Sequence, residues 1–205
     1  MGAPTSRDPA VVGNHLYQRS NNVHENGDHG NLEETYTSLI QEYLQVMCLE
    51  NATFLAERMV ASCQTTNAYY LLGVCHYRSG QPQRALSVLA KNSSSSGGTK
   101  YHDSATAYLT AKCCFDLQQY GRAEETLLGA ARADYKEYKN ANRNRNSLMN
   151  MDEWLTETSP CPIPNGAVGL YLLGNICRRS NRRRRAMDYY TMSLQVCYTI
   201  LMCQD

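Results

Sequence analysis

The sequence predicts an all-α protein in which short antiparallel helices pair and the pairs stack in a row. Three observations carry that expectation. From Leu32 onward apolar residues recur at steps of three and four, the helical period. Small residues recur at fixed spacings inside those segments. The apolar content comes from Leu, Ala, Tyr, Met and Cys with only two Phe and one Trp, a palette that suits helices better than strands. At 205 residues the chain has room for one domain with a loose tail.

Residues 1–31 hold Asn, Gly, His, Pro and Ser without apolar period. They bury too little surface to offset the entropy of ordering, so a disordered tail is expected. In LEETYTSLIQEYLQVMCL, the residues Leu32, Tyr36, Leu39, Ile40, Tyr43, Leu44 and Met47 mark one helical face. After a break expected at Glu50–Asn51, Ala52, Leu55, Ala56 and Met59 mark a second.

The pairing recurs. In NAYYLLGVCHYRSGQPQRALSVLAK, Tyr69 is followed by Leu72 and Gly73, then His76, Gly80, Ala85 and Leu89. Each has a reason: Leu72 fills the helix pair, Gly73 lets a neighbouring helix approach, Gly80 opens the turn, and Ala85 is small where helices cross. This is the tetratricopeptide skeleton. The same frame returns 38 residues on, with Ala111 at the place of Gly73, Tyr120 expected at the turn and Ala123 at the place of Ala85. It returns again 63 residues later with Leu173, Gly174 and Ala186. The linker NSSSSGG at 92–98 accounts for the first excess over a repeat of about 34 residues. A polar insertion at 135–165, ending in Pro-rich turn signals, accounts for the second. Backwards, Ala52 stands 33 residues before Ala85, with Ile40 in place of the glycine. The expected architecture is a tetratricopeptide-type solenoid of about four helix pairs, the first degenerate. Pairs one to three span 32–134, the fourth 166–197, and 198–205 is a divergent end. Its packing signature is Leu72, Gly73, Gly80, Ala85, Ala111, Ala123, Leu173, Gly174 and Ala186.

Two stretches, NATFLAERMVASCQTTNAYYLLGVCHYRSGQPQRALSVL and YLTAKCCFDLQQYGRAEETLL, resemble the third subunit of the anaphase-promoting complex, the cell-division-cycle protein twenty-seven family, in its N-terminal repeats. GLYLLGNICRRSNRRRRAMDYYTMSLQ is similar to the next helix pair, after a variable insertion that the family also carries. The likeness covers roughly residues 33–196. It implies a scaffold in a ubiquitin ligase of mitotic exit, located in nucleus and cytoplasm, with other subunits of that complex and a second copy of itself as partners. The family's separate C-terminal array, which captures activator tails, has no counterpart here, and the ending CYTILMCQD departs from the family's continuation. A truncated or short form is therefore expected. The rival function is a peptide-binding tetratricopeptide adaptor unrelated to cell division.

Candidate contact residues follow from the frame, since such a superhelix presents its first helices to the inner face. Tyr70, Tyr108 and Tyr171 share one position, accompanied by Tyr77 and Phe115, and could grip a helix or extended chain. Intramolecular packing is an equally weighted use of the same rings. A carboxylate clamp is disfavoured, because Tyr70 and Val74 stand where Lys and Asn would be needed. Six arginines, Arg178, Arg179 and Arg182 to Arg185, crowd eight residues. A solvated turn is favoured over an import signal or nucleic-acid patch, because no acidic or aromatic residues interleave them.

No catalytic, cofactor or metal role is expected. Lys and Arg number 20 against 19 Asp and Glu, so no overall field selects a polyanion or a membrane surface. Nine cysteines contain no Cys-x-x-Cys and no histidine at finger spacing, which disfavours zinc and leaves most thiols as small buried hydrophobes of a reducing compartment. The sequons at Asn51 and Asn92 are accordingly expected to be unmodified. No phosphate loop, nucleophile elbow or carboxylate pair is present. No apolar run approaches the roughly 20 residues of a membrane span.

Overall fold

The computed structural model describes residues 29–95, 104–142, 149–158 and 161–202. Among these residues the elements are all helices: α1 His29–Gln45, α2 Leu49–Cys63, α3 Thr66–Arg78, α4 Pro82–Ser95, α5 Ser104–Asp116, α6 Tyr120–Ala141, α7 Met151–Glu157, α8 Ala167–Arg179 and α9 Arg183–Met202. The expected tail lies outside the described residues apart from 29–31, with which α1 begins. The linker expected at 92–98 is helical as far as Ser95, and its remainder lies outside them.

The pairs are α1–α2, α3–α4, α5–α6 and α8–α9. Each second helix packs on the first helix of the following pair: α2 on α3, α4 on α5, α6 on α8. First helices also touch in succession, α1 to α3, α3 to α5 and α5 to α8, whereas nothing comparable joins α2 to α4 or α4 to α6. Helices that touch sit closer together than helices that do not, so the stack curves with its first helices inside.

All four pairs turn in the same way, over three residues: 46–48, 79–81, 117–119 and 180–182. The middle residue is left-handed each time, with φ of 61° at Met47, 72° at Gly80, 60° at Gln118 and 58° at Asn181. The next amide then reaches back five residues to a carbonyl: Cys48 to Tyr43, Gln81 to His76, Gln119 to Cys114 and Arg182 to Cys177, at 2.8–2.9 Å. That bond is the long link of a Schellman cap, satisfying a carbonyl the helix end would leave unpaired. The third turn residue also opens the next helix, its carbonyl accepting from the amide of Ala52, Ala85, Ala123 or Ala186 at 3.0–3.1 Å. Two boundaries therefore differ from expectation. The first break lies at 46–48 rather than Glu50–Asn51, and the third turn centres on Gln118, with Tyr120 already the first residue of α6. A left-handed Met or Gln carries no sequence signature, because only Gly and Asn adopt that conformation at little cost.

Close packing within each pair follows a size rule. The position held by Ile40, Gly73, Ala111 and Gly174 is matched sixteen residues on by Ala56, Leu89, Leu127 and Tyr190. A Cβ on Gly73 would come within 2.8 Å of Leu89 Cδ2, and one on Gly174 within 2.5 Å of Tyr190 Cδ1. Ile40 and Ala56 share one buried cluster, Ala111 and Leu127 another. The first pair is thus inverted, with its bulk on the first helix and its small residue on the second. Leu72, Gly73, Ala85, Ala111, Ala123, Leu173, Gly174 and Ala186 are all buried, while Gly80 is exposed in its turn.

The polar stretch at 135–165 contains ordered structure. Helix α6 runs on to Ala141, placing Tyr135 and Tyr138 against Trp154 of α7, ring centres 5.5 and 6.3 Å away. Asn150 caps α7: Glu153 N–H donates to Asn150 Oδ1 at 2.9 Å, and Asn150 N–H to the Glu153 carboxylate at 3.2 Å. Trp154, Leu155 and Ile163 are buried in the cluster that joins the third and fourth pairs. The segment fills the gap left by the irregular spacing. Its sequence signal is short, Asn150 three residues before Glu153 with Met151, Trp154 and Leu155 on one helical face, and it sits within a longer polar run.

Candidate interaction face

The inner side of the stack is built from the first helices, where the frame places Tyr70, Tyr108 and Tyr171. Tyr70, Tyr77, Tyr108 and Phe115 are half-buried and lean on the core. Tyr171 is exposed, its ring centre 5.6 Å from that of Tyr190. Tyr77 donates to Asp116 at 2.7 Å and lies under Lys112, whose Nζ is 5.9 Å from the ring centre. Burial, followed by this carboxylate partner, pushes the Tyr77 hydroxyl pKa well up, and burial does the same to Tyr108. Phe115 packs on Tyr120 at 5.7 Å. Tyr190 donates to Asn175 at 3.0 Å. Neighbouring first helices therefore spend part of their aromatic surface on one another, and the fourth pair presents Tyr171 outward.

The frame gave no sign of the polar groove at the other end of the stack. Glu33, Glu34, Thr37, Ser38, Gln41 and Asn67 line a shallow, open groove of about 440 Å³. Glu33 accepts from Thr65 at 2.9 Å and from Asn67 at 3.2 Å, and the Asn67 amide also donates to Thr37 at 3.1 Å. Thr37 stands where the later pairs carry Tyr, so the residue that defines the row elsewhere is missing here.

The arginine turn is partly engaged. Arg182 grips both carboxylate oxygens of Glu124, at 3.0 and 2.6 Å, and Arg185 lies 5.8 Å from the Tyr189 ring centre. Acidic and aromatic partners thus exist in space although none interleaves the run in sequence. Arg178, Arg179, Arg183 and Arg184 are exposed. Cys75, Cys113, Cys114 and Cys177 are buried, and burial raises their thiol pKa values, to about 11 for Cys75 and about 12 for Cys113. Such thiols stay protonated and inert at neutral pH. Among the described residues no cluster of three His, Cys, Asp or Glu side chains is placed to hold a metal. No helix there is long and apolar enough to cross a membrane.

Repeated turns, the small-against-large rule and the curved succession of first helices define a tetratricopeptide-type helix-pair protein. Comparison with known proteins narrows this. Residues 47–130 match the family model described as anaphase-promoting complex, cyclosome, subunit 3, and residues 170–200 match a tetratricopeptide-repeat model. Cell division cycle protein 27 homolog of Homo sapiens is 28% identical over 165 residues, covering 80% of this chain and 17% of the relative. The Arabidopsis thaliana homolog A is 28% identical over 163 residues, covering 80% and 18%. The chain thus spans less than a fifth of these relatives' length. A solved Cdc27 N-terminus superposes with a TM-score of 0.51 at 18% identity, covering 78% of this chain and 60% of that one. The anaphase-promoting-complex hetero-tetramer Cut9–Hcn1 gives 0.57 at 19%, over 94% and 30%. MamA gives 0.57 at 15%, over 94% and 88%, a likeness of fold. Over most of its described length the chain is thus similar to Cdc27 homologs, and its fold is of the tetratricopeptide type.

Proposed function

We propose that this chain is a non-catalytic scaffold module of an anaphase-promoting-complex type of ubiquitin ligase, acting in cell-cycle control in nucleus and cytoplasm. In this reading it associates with a second copy of itself and holds neighbouring subunits. The observation that carries the reading is the match of residues 47–130 to the subunit 3 family, a stretch that contains the second and third turns and both of their small-residue positions. The face that would do the holding is the row of first helices ending in exposed Tyr171. An aromatic ring with few rotamers loses little entropy when it is covered.

Light scattering over a concentration series tests the self-association: the expected mass is twice the 23.1 kDa of one chain. A strict monomer at high micromolar concentration overturns it. Tyr171→Ser is the preferred probe of the inner face, because Tyr70 and Tyr108 pack against the core and their loss would disturb the fold as well. If the variant stays dimeric yet loses an extended-peptide ligand, the chain is instead a peptide-binding adaptor.

A further inference from the structure

Three contacts knit successive pairs together near their turns and set those turns on one edge of the stack. Arg78 donates to the Leu44 carbonyl at 3.2 Å, Tyr77 to Asp116 at 2.7 Å, and Arg182 to Glu124 at 3.0 and 2.6 Å. Along this edge, residues 78–84, 117–122 and 178–185 hold two, one and six arginines and no acid, whereas 46–51 of the first turn hold Glu50 and no arginine. The formal charge of the whole chain is only +1, so positive charge is gathered here and balanced elsewhere.

The repeat frame sharpens the pattern. The residue before each aligned alanine is Asn51, Arg84, Arg122 or Arg185, so three successive pairs carry arginine at one and the same position. All four residues are exposed, in the middle of the stack as well as at its ends. Exposure here is set by each pair's own turn and needs no missing neighbour. Each of the three arginines falls in the first turn of its helix, α4, α6 or α9, where no acidic residue accompanies it. A cation there opposes the helix dipole, so the row does not serve helix stability. Among the described residues no ion pair engages any of the three: Arg84 donates to Gln81 at 3.1 Å, and Arg185 lies beside the Tyr189 ring.

The ion pair present on this edge shows the chemistry it holds. Glu124 stands two residues beyond Arg122, and Arg182 takes both of its carboxylate oxygens. A planar guanidinium fork matches a carboxylate in this way. Single-stranded nucleic acid would also need rings on which its bases stack. Tyr120, the single aromatic residue of the three turn segments, is half-buried against Phe115.

We propose that this turn edge docks an extended, acidic segment of another protein, whose carboxylates pair in succession with Arg84, Arg122 and Arg185 along the stack. The proposal goes beyond the self-association above: it uses none of the inner-row tyrosines and holds whether the chain is one copy or two.

The test follows the fluorescence anisotropy of a labelled poly-glutamate peptide titrated with the intact chain. The expected result is binding that weakens as salt is raised. Arg84→Gln, Arg122→Gln and Arg185→Gln combined should weaken it at least about tenfold, a change of ~1.4 kcal/mol, with the helical circular dichroism unchanged. A control removes the same charge elsewhere: Arg58→Gln, Lys136→Gln and Lys139→Gln, all exposed and outside the three turn segments, should weaken it less than about twofold, since charges beyond roughly 8 Å are screened at physiological salt. Equal weakening by the two triple variants would reduce the attraction to net charge and overturn the proposal. So would absence of binding at millimolar peptide, or tighter binding of an oligothymidylate of the same charge, which would make the edge a nucleic-acid surface. Light scattering separates this site from self-association. A triple arginine variant that loses the peptide yet keeps the wild-type mass supports the proposal, and one that alone turns monomeric assigns the row to a second copy and overturns it. A wild-type chain that is strictly monomeric but binds the peptide leaves the proposal standing and removes only the homodimer.

Discussion

The ring of Tyr190 lies flat against the Cα of Gly174, so that a single methyl group on that glycine would overlap Cδ1 at 2.5 Å and Cζ at 3.0 Å. The equivalent contact at Gly73 meets Leu89 Cδ2 at 2.8 Å and Cγ at 3.1 Å, with Leu109 Cδ2 at an ordinary 3.5 Å, all on aliphatic side chains that turn aside more easily than a ring. Gly174→Ala should therefore cost more than Gly73→Ala, because the aromatic ring is also held by its hydrogen bond to Asn175. Gly73→Leu should overfill its site by about 1–3 kcal/mol. Urea unfolding of the three variants checks the order, and equal midpoints for all three would show that the frame is misplaced.

The inverted first pair makes a second prediction. Ile40 and Ala56 are both fully buried, so Ile40→Ala should cost about 2–5 kcal/mol through the cavity it leaves. Ala56→Leu in the same chain should recover a measurable part, since it recreates the small-then-large order of the second pair. A double-mutant cycle with no coupling would refute the size rule.

The four left-handed turn residues predict opposite effects of glycine. Met47→Gly and Gln118→Gly should each stabilise by roughly 0.5–1 kcal/mol, since both side chains are exposed and pay for positive φ. Gly80→Ala should destabilise by about 1 kcal/mol although no atom stands within 4 Å of its Cβ site, because φ is 72°. Thermal melts of the three distinguish conformational strain from contact.

Arg182 and Glu124 tie the fourth pair to the third. The paired guanidinium lowers the Glu124 carboxyl pKa below its usual value near 4.5, against the opposing effect of burial. A lowered acid contributes stability that is present above the unfolded pKa and lost as pH falls through the folded one. The difference between wild type and Glu124→Gln should thus be seen at neutral pH and vanish in acid. Its size should stay within about 1 kcal/mol, because the Arg182 side chain is 40% exposed. Arg182→Lys should lose most of it, having no fork to match two oxygens.

His76 acts at milder pH. Burial foremost, then the Arg84 charge, lowers its pKa below 6.5, with Glu57 opposing. The unfolded chain therefore takes up the proton first, and stability is intact above about pH 6.5 and declines below it, toward the folded pKa. Melting temperatures of His76→Gln should vary less between about pH 7 and pH 5 than those of wild type. Parallel curves would assign the decline to other groups.

Legibility in the sequence followed the range of the interaction. Helical period, Gly73, Gly80 and the alanines twelve residues beyond each frame position could be read directly, since each is enforced by the local geometry of one helix pair. The left-handed Met47 and Gln118 could not, because their strain is offset by capping bonds that any residue type can make through its backbone. The role of Trp154 was hidden for a related reason. Its partners Tyr135 and Tyr138 lie sixteen and more residues away across a polar run, and no short-range pattern announces them.

By itself the sequence determined that helices would form, that they would pair, and where small residues would let the pairs close. These properties depend on spacings of three, four and twelve residues along one chain. The tertiary structure alone decided which side of each pair is covered, and so which tyrosines are spent on neighbours and which side of α9 is exposed. Exposure is a property of what stands opposite a residue, and for Leu194 and Ala131 the same place in the repeat meets solvent in one case and a packed layer in the other.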